Sequence, residues 1–238
     1  MRTVLSLVQA FTSRVGVPTP SFGFANPDPQ VHQIFALLEE AIEEIRTRGS
    51  WNELVREATF TSTPIIDQGP VTSIATQGFD RILNDTIYDR TQDRKIYGPL
   101  RADQWQELQA NLSAGPVLKY RIRGGHLLLD PAPTTNLLLA FEYVSRYCIL
   151  DQDGVTWKEF ITSDQDTVLF PDIIVLSALR WKWKYEKGLD YAEDFRRFET
   201  MISSSLSNDG TKPTVVLDDY QPETRPGIFV PEGNWNLP

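Results

Sequence analysis

Apolar positions recur at helical spacing at both ends of this chain and alternate in its middle. Val4, Leu7, Val8 and Phe11 are separated by Ser, Gln and Thr, which predicts an amphipathic helix over residues 2–15 rather than a signal peptide. Gly16 and Pro18 end it, and Pro18, Pro20, Pro27 and Pro29 predict an extended loop. Asp28 and Pro29 are the cap and first residue of a long helix, whose stripe Val31, Ile34, Phe35, Leu38, Ile42 and Ile45 runs unbroken to Gly49.

From Trp51 the period changes. Short β-rich segments are expected at Ala58–Thr61, Val71–Thr76, Phe79–Leu83 and Thr86–Tyr88, with a charged hairpin or loop over Asp85–Lys95. A short helix is expected from Arg101 to Asn111, carrying Trp105 and Leu108. Leu118–Arg123 and His126–Leu129 flank Gly124-Gly125, the signature of a hairpin with a primed turn. Asp130-Pro-Ala-Pro133 stops the second strand, Leu137–Leu150 predicts a long one, and Val155–Leu169 one or two more.

Two helices then share the stretch Leu169–Ile202. Pro171 and Asp172 open the first, and Gly188 closes it. Asp190 caps the second, with Glu193 placed for a capping box and a stripe of Tyr191, Phe195, Phe198 and Ile202. The first has two apolar faces: Ile174, Ala178, Trp181 and Tyr185 on one, Ile173, Leu176 and Trp183 on the other. A helix apolar on two sides has two things to pack against. Its own core is one; a neighbouring subunit is expected to be the other, through Ile173, Leu176, Arg180 and Trp183.

After Ser207 no period is visible. Residues 208–238 carry five prolines, with acidic neighbours and isolated large apolar residues, and read as an extended arm that docks through Tyr220, Ile228, Phe229 and Trp235. The expected fold class is α+β. Helices of residues 1–50 and 170–207 form one helical body, an antiparallel β-sheet or sandwich region of residues 51–169 is inserted, and the arm of 208–238 follows.

A net charge of -9 argues against a nucleic-acid grip, although Arg180, Lys182 and Lys184 lie beside Trp181 and Trp183, a mixture that can stack bases. Cys148 is the single cysteine, so no disulfide forms within the chain. With two histidines, His32 and His126, a tetrahedral zinc site would need carboxylates. There is no P-loop, no dinucleotide fingerprint and no nucleophile elbow. Glu39, Glu40, Glu43 and Glu44 flank the stripe of the long helix, as a solvated face does, and Asp151, Asp153 and Gly154 depart from calcium-loop spacing and read as a turn. No cofactor and no membrane contact is expected, and the profile favours a structural or assembly role over an enzyme.

Several segments together resemble the head-to-tail adaptor (connector) proteins of tailed bacteriophages, of the short-tailed type. They are Val4-Leu5-Ser6-Leu7-Val8, Arg48-Gly49-Ser50-Trp51, the hairpin Tyr120–Pro133, Phe141-Glu-Tyr143, Leu169-Phe-Pro-Asp172 leading to Ala178-Leu-Arg-Trp181-Lys-Trp-Lys, and Gly188-Leu-Asp-Tyr191. The likeness spreads over residues 2–206 and leaves the arm unmatched. It implies a homo-oligomeric ring, a dodecamer of about twelve copies, seated at the neck of the virion after synthesis in the host bacterial cytoplasm. Its partners would be the portal protein and the tail tube, nozzle or fibre proteins, with DNA as passing cargo. No catalytic residues carry over. The competing readings are a tail-associated glycan- or receptor-binding module, with Trp105 and Trp157 exposed on the β region, and a cell-wall hydrolase.

Overall fold

The structure, a computed structural model, describes residues 2–110, 115 and 117–209. The arm residues Tyr220, Ile228, Phe229 and Trp235 lie outside the described residues. The fold is α+β, with antiparallel sheets between amino- and carboxy-terminal helices.

The second opening helix begins at its expected cap, Asp28, and the first begins at Thr3, a cap that the sequence pattern did not single out. In α1 (Val4–Val15) the Thr3 hydroxyl accepts from the Ser6 amide, and Gly16 closes the helix with φ 72°. In α2 (Pro29–Thr47) the Asp28 carboxylate accepts from the Gln30 amide at 2.9 Å. Their stripes are buried as expected, α2 adding Leu37 and Ala41 while Phe35 is half-buried. Trp51 then turns inward, its indole N–H donating to the Ile45 carbonyl at 2.9 Å and its ring meeting Phe170.

The β region follows as β1 (Val55–Thr61), β2 (Asp67–Pro70), a one-turn α3 (Val71–Ile74), β3 (Phe79–Ile82), β4 (Tyr88–Asp89), β5 (Arg94–Lys95), α4 (Ala102–Ala110), β6 (Lys119–Arg123), β7 (His126–Asp130) and β8 (Leu138–Ser145). The expected strand at Val71–Thr76 is this helical turn instead, which puts Val71 and Ala75 into the same apolar cluster. In β8 the central strand pairs with β1 along its whole length on one side, and with β3 and then β4 on the other. A separate sheet has the order β2-β7-β6. Its hairpin turns at Gly124 and Gly125, both with positive φ (60° and 78°), a conformation that favours glycine.

Leu137–Leu150 is not one strand. Ser145 ends β8 by donating to the Gln77 carbonyl and accepting from the Tyr147 amide. The chain then enters a small sheet of β9 (Ile149–Leu150), β10 (Trp157–Lys158) and β11 (Thr167–Val168). Two apolar clusters result. One joins Leu139, Phe141 and Tyr143 with Val71, Tyr120 and Leu127 inside the β region. The other holds the helices together with Trp51, Leu54, Val144, Cys148, Ile149, Ile161 and Val168–Phe170. The span 51–169 therefore does not pack as one insert, because both of its ends belong to the helical core.

The chain closes with α5 (Asp172–Glu186) and α6 (Ala192–Asp209), joined through Gly188 at φ 66°. The Asp190 carboxylate accepts from the Ala192 amide as expected of a cap, whereas Glu193 pairs with Arg196 rather than completing a capping box.

Candidate functional site

The helix α5 is central to the helical core, packing against α1, α2 and α6. At about 100° per residue, Val175, Leu179 and Trp183 fall on one line and Ile174, Ala178 and Lys182 on the next. All are buried. This corrects the expected subunit interface. Trp183 is 6% exposed and Leu176 5%, both within their own subunit. The partner for the second apolar face of α5 is α1, whose Phe11 ring meets Trp183 edge-on at 5.9 Å. Lys187 covers the remaining face of Trp183, its ammonium 4.5 Å from the ring centre. Ile173 and Arg180, in contrast, are exposed.

The basic residues beside the tryptophans are engaged as well. Lys182 is buried and reaches α2, with its ammonium 2.6 Å from Glu40 and 2.9 Å from Glu44. Burial opposes its charge, but the hydrogen bonds to Glu40 and Glu44 overcome this and hold its pKa above the ordinary lysine value. Burial likewise works to raise Glu44, and the bonds from Lys182 and Arg48 outweigh it and leave its pKa lowered. The acidic face of α2 is thus tied by ion pairs: Glu43 binds Arg46, and Glu44 binds Lys182 and Arg48.

Apolar surface is left uncovered on the other side of α5, at its turn into α6. Trp181 meets Phe195 edge-on at 5.2 Å, and Tyr185 meets Tyr191 perpendicularly at 5.2 Å. These rings line a groove of about 580 Å³ with Arg196 and Glu199 at its rim. Tyr185 is 56% exposed and Leu189 54%. The sequence showed this surface as a helical face without revealing that it stays open.

On the opposite flank of the α5–α6 pair, Ile173, Leu176 and Arg180 share a shallow hollow with Arg14, Arg197 and Met201. The structure therefore brings three of the four expected interface residues together and sends Trp183 elsewhere. Arg180 and Lys184 both pair with Asp194.

Reactive chemistry is sparse. Among the described residues no group of three or more His, Cys, Asp or Glu side chains is placed to hold a metal ion. Burial pushes the Cys148 thiol up to about 12, so it stays protonated. His126 is half-buried and paired with Asp67 at 3.0 Å. Asp153 closes the expected turn by accepting from the Val155 and Thr156 amides. Trp105 is buried and Trp157 is half-buried under the Arg56 guanidinium, 4.2 Å from its ring centre, so neither stands free on the β region.

No protein-family model matches the chain, and no curated protein sequence matches it.

Proposed function

We propose that the protein is a structural virion subunit, a head-to-tail adaptor. About twelve copies close into a ring below the portal and line the path by which DNA leaves. The observation that carries this reading is the open aromatic surface at the α5–α6 turn, formed by Tyr185, Leu189, Tyr191 and Phe195. Aromatic residues held rigidly on two packed helices are the kind of anchor that protein interfaces use. A closed ring needs two different patches per subunit. Val155 and Phe160, exposed beside the small β9–β11 sheet, supply apolar surface for the second.

The charge supports the same reading. A subunit with net charge -9 gives an assembled wall that repels phosphate and lets DNA slide. The portal protein and a tail component are the partners, and Phe229 and Trp235 are the residues offered to portal. The glycan-binding alternative needs exposed tryptophans on the β region, and the burial of Trp105 disfavours it. Imaging the protein mixed with the portal ring of the same virus tests the proposal. Rings stacked coaxially on portal are expected; portal rings that stay bare at micromolar protein overturn it.

A further inference from the structure

The hollow between α1, α5 and α6 is graded along its length. Toward the end of α6 it is apolar, walled by Ile173, Leu176 and Met201. Farther from that end it is basic, with Arg180 and Arg197 joined by Arg14 from α1. Asp194 is the acidic residue of the lining, and it is already shared by Arg180 and Lys184. Arg14 and Arg197 pair with no carboxylate among the described residues. In a chain of net charge -9 this is a local excess of positive charge beside an apolar floor.

We propose that Val215–Asp219 of the same chain seats in this hollow. The described chain ends at Asp209, on the last turn of α6, where its carboxylate accepts from the Asn52 amide at 2.7 Å. Measured back along the helix at about 1.5 Å per residue, Met201 lies roughly 12 Å from that end and Arg197 roughly 18 Å. Beyond Asp209 the sequence places apolar Val215, Val216 and Leu217 first, then acidic Asp218 and Asp219. At about 3.3 Å per residue the first group reaches roughly 20–26 Å and the second roughly 30 Å. Both distances cover the return along α6 with slack for the reversal. A segment running back antiparallel to α6 meets the apolar floor with its valines and the arginines with its aspartates, in the right order.

The tether decides which copy supplies the segment. A short link raises its effective concentration to about millimolar, far above that of a second molecule in dilute solution. The residues after Glu223, with Phe229 and Trp235, stay available for another partner. The inference does not rest on ring formation.

Disulfide trapping in the full-length chain tests it. Ser177 lines the hollow, so the double variant Ser177→Cys/Val216→Cys should oxidise within one chain and give a faster-migrating monomer on a non-reducing gel; buried Cys148 stays out of the reaction. Arg14→Glu/Arg197→Glu in that background should slow trapping about tenfold, and adding Asp218→Lys/Asp219→Lys should restore it. Cross-linked dimers in place of the intrachain product, trapping no faster than with the second cysteine moved to Thr63 on the β region, or indifference to both charge reversals would each overturn the proposal.

Discussion

Replacing Trp183 by Ala should damage the folded subunit, not merely its assembly. The side chain is 6% exposed and fills the junction of α1 and α5, against Phe11 and beneath Lys187. Deleting a buried Trp or Phe side chain costs about 3–5 kcal/mol, the transfer of the ring plus the cavity it leaves. Phe11 loses an edge-on partner, included in that range, and the cation contact from Lys187 goes with it. Each kcal/mol shifts Tm by about 2–4 °C in a chain of this size, so the melting midpoint should fall by roughly 6–20 °C. Urea unfolding followed by tryptophan fluorescence and circular dichroism gives the free energy directly, with the midpoint lower and the slope unchanged. Tyr185→Ala is the control. Its ring is 56% exposed, and removing it should change stability by no more than about 0.5 kcal/mol. A Trp183→Ala subunit within 1 kcal/mol or so of the parent, or equal losses from the two variants, would refute this assignment of the two faces.

Other outcomes follow from the charged and buried groups. Lys182→Met should be tolerated better than Glu44→Ala, because Met fills the same space while the alanine leaves a buried ammonium with the mostly exposed Glu40 as its remaining ion-pair partner; urea midpoints of the two variants check the order. Acid should weaken the fold. Burial works to raise Asp166, but hydrogen bonds from Lys158 and the Thr162 and Ser163 amides outweigh it and hold its pKa low, and Glu43 and Glu44 are also lowered. A depressed carboxylate contributes stability above its unfolded value near about 4 and loses it as pH falls through the folded value. Glu39 and Glu53, both raised by burial, act in the opposite sense. The urea midpoint should therefore be level from about pH 7 to 5 and drop below about pH 4, less steeply in Asp166→Asn; a midpoint flat to pH 3 or so would contradict it. Cys148 should resist iodoacetamide in the native protein and react at once in urea, read by mass spectrometry of the intact chain.

Much of the fold was legible because its signals are local. Asp28, Pro29 and Gly188 set helix ends through their own backbone conformation and contacts with immediate neighbours. Gly124-Gly125 is a turn that few other residues could make. The failures are tertiary. Val71–Ile74 has β-branched composition, but the space between β2 and β3 suits one helical turn, with Val71 and Ala75 both turned inward. The apolar run after Leu137 bends at Ser145 because it serves two clusters, Phe141 and Tyr143 in one and Val144 and Cys148 in the other. The same limit governs the candidate site. Sequence spacing showed that α5 has two apolar faces, yet α1, far away in the chain, supplies the partner for Trp183. What stays open instead is the aromatic side of the α5–α6 turn, and nothing in its spacing distinguished it from a buried stripe.

Mass measured in solution tests the central claim, that the aromatic groove of one copy is closed by the next. Sedimentation velocity on the protein with portal should give a ring-sized species for the parent and for Ser177→Ala. Tyr185→Glu/Tyr191→Glu, with an unchanged melting temperature, should stay monomeric. Ring-sized species from the groove variant, or a parent that remains a single copy at every concentration with and without portal, would contradict the account.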